Sequence, residues 1–210
     1  MEDLRDPGPI GRHAMIWTWI WLAGEVASGL AGLALALFYP PGADPGDADP
    51  STAAGQLLTA MGISVVVSFI LFVVAATLSG IWIYRMTTVK RVLAYGPSMT
   101  PGWAVGWFFI PVANLFKPFD GIREAWQVAS GGEGRAAVPT PALLRIWWAL
   151  WLAWTILNNV IARIENALIE TGWLLGLSGA LAVPLAILWV RIVRHITQAQ
   201  SARLSAAAFR

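Results

Sequence analysis

Residues 103–126 read WAVGWFFIPVANLFKPFDGIREAW, and this stretch decides how the rest of the chain is arranged. Its first half is as apolar as a membrane span, but Pro111 interrupts it, and Asn114 and Pro118 follow closely. Proline lacks a backbone donor and disfavours helix at the preceding residue, so a simple transmembrane helix is not expected here. Whether the stretch crosses a membrane determines the number of spans and the side on which each terminus lies.

The composition is that of an integral membrane protein. Hydrophobic residues make up 57% of the 210 residues and charged residues 12%, which is about half the usual charged share of soluble domains. Four apolar segments are each long enough to cross a hydrocarbon core of roughly 30 Å as a helix. The predicted spans are residues 14–39, 57–84, 143–164 and 173–193. Little sequence remains for a soluble domain, so residues 1–210 are predicted to form a single membrane domain.

The distribution of basic residues predicts the orientation. If both termini are cytoplasmic, every Lys and Arg except Arg163 lies on the cytoplasmic side, while Glu165 and Glu170 lie outside. A crossing at residues 103–126 would place Arg191 and Arg194 outside, against this bias. The predicted fold class is therefore all-α, with four transmembrane helices arranged as two hairpins.

The segment between the second and third spans is predicted to stay on the cytoplasmic side. Residues 97–118 are expected to form a re-entrant or interfacial elbow, in which Asn114 can satisfy freed backbone groups. Residues 118–130 are expected to form an amphipathic helix, because Phe119, Ile122 and Trp126 share one face. Its apolar face is expected to lie along the inner headgroup region.

The same stretch carries a recognisable motif, P-x-W-x-x-x-W-F-x-x-P-x-x-N-L-x-x-P-F. Its main residues here are Trp103, Trp107, Phe108, Pro111, Asn114, Leu115 and Pro118, and Trp126 follows them. The motif resembles that of a bacterial membrane family known as domain of unknown function 4328, over roughly residues 60–200. The resemblance implies four helices and the bacterial cytoplasmic (inner) membrane, and it implies no activity.

The sequence offers little for catalysis or cofactor binding. The absence of cysteine excludes disulfides, thiol nucleophiles and Cys-ligated metals. No nucleotide-binding, zinc-protease or serine-hydrolase motif is present, so we predict no catalytic residue, cofactor or metal. His13 and His195 share a depth at the inner membrane edge, which would permit a haem or metal pair, but solvated interface histidines are favoured. Nucleic-acid binding is not expected, because the basic residues follow the membrane.

Three polar residues within the spans are candidate functional residues. Glu25 lies near the middle of the first span, where a carboxylate costs a few kcal/mol. It is either a proton or cation site or, as we favour, a neutral glutamate bonded to another helix through Ser64, Ser68, Asn158 or Asn159. Asn158 and Asn159 themselves are predicted to form interhelical hydrogen bonds rather than substrate contacts.

These observations favour a non-enzymatic accessory, assembly or scaffold protein of the inner membrane. Its Trp-rich elbow would be the surface for membrane lipid, for a membrane-protein partner or for a second copy of the chain. The alternative is a small oligomeric channel or transporter that uses Glu25 as an intramembrane proton or cation site. A membrane-embedded enzyme ranks third, because no nucleophile–base pair is visible.

Overall fold

A computed structural model describes residues 6–38, 49–92, 98–130, 139–164 and 172–208. Its α-helices are α1 (Gly8–Phe38), α2 (Ala53–Val92), α3 (Pro101–Gly106), α4 (Lys117–Ala129), α5 (Ala142–Ile161) and α6 (Gly172–Ala208). Two short 3₁₀ turns, Trp107–Phe109 and Ala113–Leu115, lie between α3 and α4. The described residues contain no β-strand, and the predicted all-α class is confirmed. Glu165, Glu170 and residue 97 at the start of the predicted elbow lie outside the described residues.

Three of the described helices are long and apolar enough to cross a membrane. The qualifying segments are Gly8–Phe38, Gly55–Val89 and Gly172–Ser205, as expected of a multi-pass membrane protein. α5 is also predicted from the sequence to be a span, and it has 20 residues. It falls outside this set because Arg145, Asn158 and Asn159 lower its mean hydropathy.

α2 illustrates why these helices require an apolar environment. Only 11% of its most apolar window is buried within the protein. Phe69, Ile63 and Val66 each leave more than half of their surface exposed. Because side chains of this kind gain about 25 cal/mol for each Å² removed from water, such a face is stable only when it is covered. A bilayer would provide that cover over the apolar part of the helix.

α2 begins with a hydrogen-bonded turn. The Ser51 N–H donates to the Asp49 carboxylate at 2.8 Å, and the Thr52 hydroxyl accepts from the Gly55 N–H at 3.1 Å. Thr52 thereby satisfies one of the donors that the first helical turn leaves free. The hydrogen bonds from the backbone and side chain of Ser51 hold the pKa of Asp49 below its ordinary value.

The contacts divide the chain into two compact units. The first consists of Met1–Trp17, Ala75–Trp148 and Leu188–Arg210. Its core contains Trp82, which is fully buried and donates its indole N–H to the Thr197 hydroxyl at 2.9 Å. The Trp189 ring meets Trp82 edge-on at 5.6 Å and stacks on Trp147 at 5.1 Å. Helices from three parts of the chain are joined in this way.

The second unit consists of Thr18–Val74 and Ala149–Ile187. In it, α1 and α6 approach closely through glycines. A Cβ atom added at Gly29 would lie 3.0 Å from the Leu175 carbonyl oxygen, and one added at Gly172 would overlap the Gly32 carbonyl oxygen. Small residues allow such backbone contact, and in membranes this dispersion packing helps to hold helices together.

Candidate functional site

The structure describes residues 98–118 of the elbow, and these residues form short turns that pair some of their own backbone N–H and carbonyl groups. The Thr100 hydroxyl accepts from the Trp103 N–H at 3.4 Å and caps α3, with Pro101 at the first helical position. Beyond Pro111, the Asn114 N–H donates to the Ile110 carbonyl at 2.7 Å, and the Phe116 N–H donates to the Ala113 carbonyl at 3.1 Å. Local hydrogen bonds of this kind allow an irregular backbone to lie near a membrane.

The Asn114 side chain does not have the role expected from the sequence. Its Oδ1 atom is buried and accepts no hydrogen bond from any described residue. Around Pro111, the carbonyls of Ile110, Val112 and Ala113 instead accept backbone N–H groups of the turns. The Trp148 indole supplies a further donor, since its N–H bonds the Leu115 carbonyl at 3.1 Å.

α4 places its apolar face against the other helices of the first unit. Ile122 and Ala125 are fully buried. The Trp126 ring stacks on His195 of α6, with centroids 4.0 Å apart, and the Phe119 ring lies 6.0 Å from Trp148 of α5. This face was expected to contact headgroups, but protein side chains occupy it.

Other residues of the elbow provide the exposed apolar surface. Phe109 is 81% exposed, Val112 72% and Phe116 61%. Ile110 and Leu115 are also exposed, as is Pro111 between them. Phe108 is only half-buried and lies within the first 3₁₀ turn. Large apolar side chains are therefore concentrated at the turns of the elbow.

A cavity of about 670 Å³ separates the start of the elbow from the polar face of α4. The rings of Trp103 and Trp107 form one wall and are stacked with centroids 4.6 Å apart. Lys117, Asp120 and Arg123 of α4 line the other side. The cavity therefore combines an aromatic wall with a charged wall, all within the first unit.

Glu124 lines this cavity together with Ser98, to which it is bonded. Its carboxylate is buried and accepts both the backbone N–H and the hydroxyl of Ser98. The N–H bond is 3.1 Å long. Since Ser98 precedes α3 and Glu124 lies within α4, these bonds hold the two sides of the cavity together.

Glu25 is the centre of a buried polar cluster in the second unit. One carboxylate oxygen accepts the Ser178 hydroxyl at 2.6 Å and the Trp154 indole N–H at 3.3 Å. The other accepts the Ser68 hydroxyl at 2.7 Å. The cluster therefore joins α1, α2, α5 and α6. Of the partners expected from the sequence, Ser68 is the one that bonds Glu25 directly.

The two asparagines differ in their surroundings. The Asn158 side-chain amide donates to the Ser178 hydroxyl at 2.9 Å and to the Trp154 carbonyl at 2.9 Å, so it contacts two of the three residues that bond Glu25. Asn159 is exposed, and its amide donates to the Thr155 carbonyl of its own helix at 2.8 Å. Asn158 thus belongs to the polar cluster and Asn159 does not.

The two histidines have separate surroundings. His195 stacks on Trp126, and its Nε2 atom lies 3.2 Å from the Ser130 hydroxyl. His13 is exposed on α1. Within the part of the chain that the structure describes, no three His, Cys, Asp or Glu residues are grouped so that they could hold a metal ion.

Comparison with protein families supports the resemblance carried by the elbow. The family described as Domain of unknown function (DUF4328) matches residues 44–198. The chain belongs to this family. No curated protein and no solved structure matches the chain. The DUF4328 match includes the whole elbow and α4, together with Ser68, Trp154 and Ser178, whereas Glu25 precedes it.

Several residues of these sites were not predicted from the sequence. Trp154 and Ser178 both bond Glu25, and Glu124 bonds Ser98 beside the cavity. One signal was available: Trp154 precedes Asn158 by four residues and therefore shares its helix face. Ser178 and Glu124 gave no such signal, because their partners lie on other segments of this DUF4328 chain.

Proposed function

We propose that this DUF4328 protein is a non-enzymatic accessory or scaffold protein of the bacterial inner membrane, and that its elbow binds the lipid of the cytoplasmic leaflet. The exposure of Phe109, Val112 and Phe116 carries the proposal. In water these side chains would form an apolar patch that soluble proteins rarely leave uncovered. In the headgroup and acyl boundary they would be buried favourably.

Charge near the elbow supports contact with lipid. Lys117 is exposed directly after Phe116, and the Arg123 side chain is 42% exposed. A basic side chain at the surface of an anionic leaflet contributes about 1 kcal/mol of attraction. Apolar turns next to basic residues are the usual composition of interfacial membrane segments.

The proposal includes four transmembrane helices, arranged as two hairpins with both termini cytoplasmic. α5 would be the fourth span, because a helix of 20 residues reaches roughly 30 Å at about 1.5 Å per residue. The positive-inside rule supports this orientation, since only Arg163 would lie outside. The elbow would then lie on the cytoplasmic side.

The insertion of the elbow can be measured with single spin labels, because the native chain has no cysteine. We expect a label at Phe109→Cys, in liposomes, to be relaxed strongly by lipid-dissolved oxygen and weakly by a water-soluble nickel chelate. A label at Ser130→Cys, which is exposed at the end of α4, is the matched control and should show the opposite preference. Strong relaxation of the Phe109 label by the nickel chelate would contradict lipid insertion.

The orientation has its own test. In sealed, right-side-out vesicles, an impermeant maleimide is expected to label Ser51→Cys and Arg163→Cys but not Ser130→Cys or Ser205→Cys. Detergent should make all four reactive, since all four positions are exposed. Labelling of Ser205→Cys together with Ser51→Cys in intact vesicles would refute the arrangement with both termini cytoplasmic.

The channel or transporter alternative has less support. Both carboxylate oxygens of Glu25 are occupied by donors from three neighbouring helices. A carboxylate engaged in this way is better suited to joining helices than to exchanging a cation. The alternative stays a prediction, and flux measurements on liposomes that contain the Glu25→Gln variant test it.

A further inference from the structure

The cavity beside the elbow has the size of a small-molecule site. Its volume of about 670 Å³ lies within the usual range for such sites, roughly 300–1,000 Å³. Ser98 and Glu124 both line it, and their hydrogen bonds join the segment before α3 to α4. Nothing in the elbow's role as an apolar surface requires such a cavity.

The charged wall carries charges of both signs. Arg123 and Asp120 form an ion pair at 2.9 Å, one turn apart on α4. Lys117 lies one turn before Asp120, and no carboxylate among the described residues is within ion-pair distance of it. A phosphate could therefore be bound by Lys117 without breaking an existing pair. Asp120 retains acceptor positions beyond those that Arg123 uses, since a carboxylate can accept about four hydrogen bonds.

The aromatic wall favours a cation. Trp103 is 51% exposed, so much of its surface remains accessible although its ring stacks on Trp107. A tryptophan face attracts an ammonium group more strongly than any other side-chain ring does. An ammonium bound there would lie in the same cavity as Asp120. A ligand with only negative charge would leave Trp103 and Asp120 without a cationic partner, so it would gain less from this cavity than a ligand that also carries an ammonium.

We propose that this cavity binds the headgroup of a zwitterionic phospholipid that carries a phosphate and a primary ammonium, the chemistry of phosphatidylethanolamine. Lys117 binds the phosphate, while Trp103 and Asp120 bind the ammonium. The acyl chains lie along the exposed side chains of Phe109, Val112 and Phe116, which distinguishes a lipid from a soluble phosphate compound. This inference rests on the proposed lipid-binding function and names the lipid class that the same surface selects.

The first test compares ligands on the unmodified, full-length protein. Delipidated protein in detergent is titrated with dihexanoyl phosphatidylethanolamine, dihexanoyl phosphatidylglycerol and soluble phosphoethanolamine, and native mass spectrometry counts the bound molecules. We expect phosphatidylethanolamine to bind about tenfold more tightly than either of the others. Equal or tighter binding of phosphatidylglycerol overturns the assignment of a zwitterion. Equal binding of soluble phosphoethanolamine overturns the assignment of a lipid.

The second test uses variants with matched controls. Lys117→Gln and Trp103→Leu are each expected to weaken phosphatidylethanolamine binding by about tenfold. Arg145→Gln, at another exposed basic residue, and Trp173→Leu, at a tryptophan 56% exposed, are expected to leave the binding unchanged. Unchanged binding in both cavity variants, or equal loss in the controls, places the lipid elsewhere and overturns the proposal.

The spin-label result separates the two levels of the inference. An inserted Phe109 label without preference for phosphatidylethanolamine retains the lipid-binding elbow and rejects the cavity as a headgroup site. A water-exposed label rejects the elbow as a lipid surface. If the protein then still prefers phosphatidylethanolamine to soluble phosphoethanolamine, the acyl chains do not lie along Phe109, and the path proposed here for them is wrong.

Discussion

Replacing Glu25 with leucine is expected to lower the free energy of unfolding by about 2 kcal/mol. The substitution removes the acceptor of three hydrogen bonds, from Ser68, Trp154 and Ser178. Hydrogen bonds between membrane helices contribute roughly 0.6 kcal/mol each on average, which sets the magnitude. In mixed micelles, residue 25 stays inserted in both the folded and the unfolded state. The cost of inserting a carboxylate therefore cancels from the measured free energy of unfolding. Circular dichroism during titration with sodium dodecyl sulfate measures the change.

Three further substitutions serve as comparisons. Glu25→Gln keeps an acceptor oxygen at nearly the same place, so it is expected to lose less stability than Glu25→Leu. Asn159→Leu removes only a bond to the Thr155 carbonyl of its own helix, and it should cost less than Asn158→Leu, which breaks the contact with Ser178. If all four variants unfold like the parent protein, the polar cluster does not stabilise the fold.

The same Glu25→Gln variant tests the transport alternative. If Glu25 joins helices and does nothing else, liposomes containing the parent protein or the variant should take up protons and cations at the rate of empty liposomes. A pH-sensitive or cation-sensitive dye inside the liposomes reports the flux. Flux through the parent protein that Glu25→Gln abolishes would establish the channel or transporter function.

Gly172→Ala is expected to lower the stability by about 1–3 kcal/mol, the usual cost of forcing atoms into a packed contact. The added methyl group would overlap the carbonyl oxygen of Gly32, and it would lie 2.9 Å from the Cβ atom of Ala36. Both obstacles are on α1, and the backbone oxygen can move only if the helix moves. The loss is measured by the same unfolding titration.

Gly62→Ala is the matched control. It lies within α2, and an added Cβ would meet nothing within 4 Å. Alanine is favoured over glycine in a helix by about 1 kcal/mol, so this variant should be as stable as the parent protein or more so. Equal stability of Gly172→Ala and Gly62→Ala would show that α1 and α6 do not approach as closely as the structure indicates.

The helices could be predicted because they depend mainly on residue type and local pattern. Long apolar runs predicted the three qualifying spans, and the proline spacing in residues 103–126 predicted an interruption between α2 and α5. The elbow motif also predicted the family, which the match over residues 44–198 confirms. The helix that contains the predicted span at 173–193 continues to Ala208, and no proline or glycine follows residue 193 within α6 to stop it.

The sites were predicted only in part. Glu25 was recognised as costly in a membrane, but its bonds to Ser68 and Ser178 join residues 43 and 153 positions apart. Such pairs depend on the rotation of each helix about its axis, which hydropathy does not specify. Similarly, α4 was recognised as amphipathic, but its polar face was not expected to line a cavity beside Trp103 and Trp107.

By itself, the sequence determined that this chain forms apolar helices, that residues 103–126 break their pattern, and that the chain belongs to the DUF4328 family. These properties follow from the composition of short segments, so they can be read without knowing which segments meet. The tertiary structure alone decided that three donors surround Glu25, and that Ser98 bonds Glu124 beside a cavity. The physical reason is that a buried polar atom is stable only beside a partner, and packing between distant segments selects that partner.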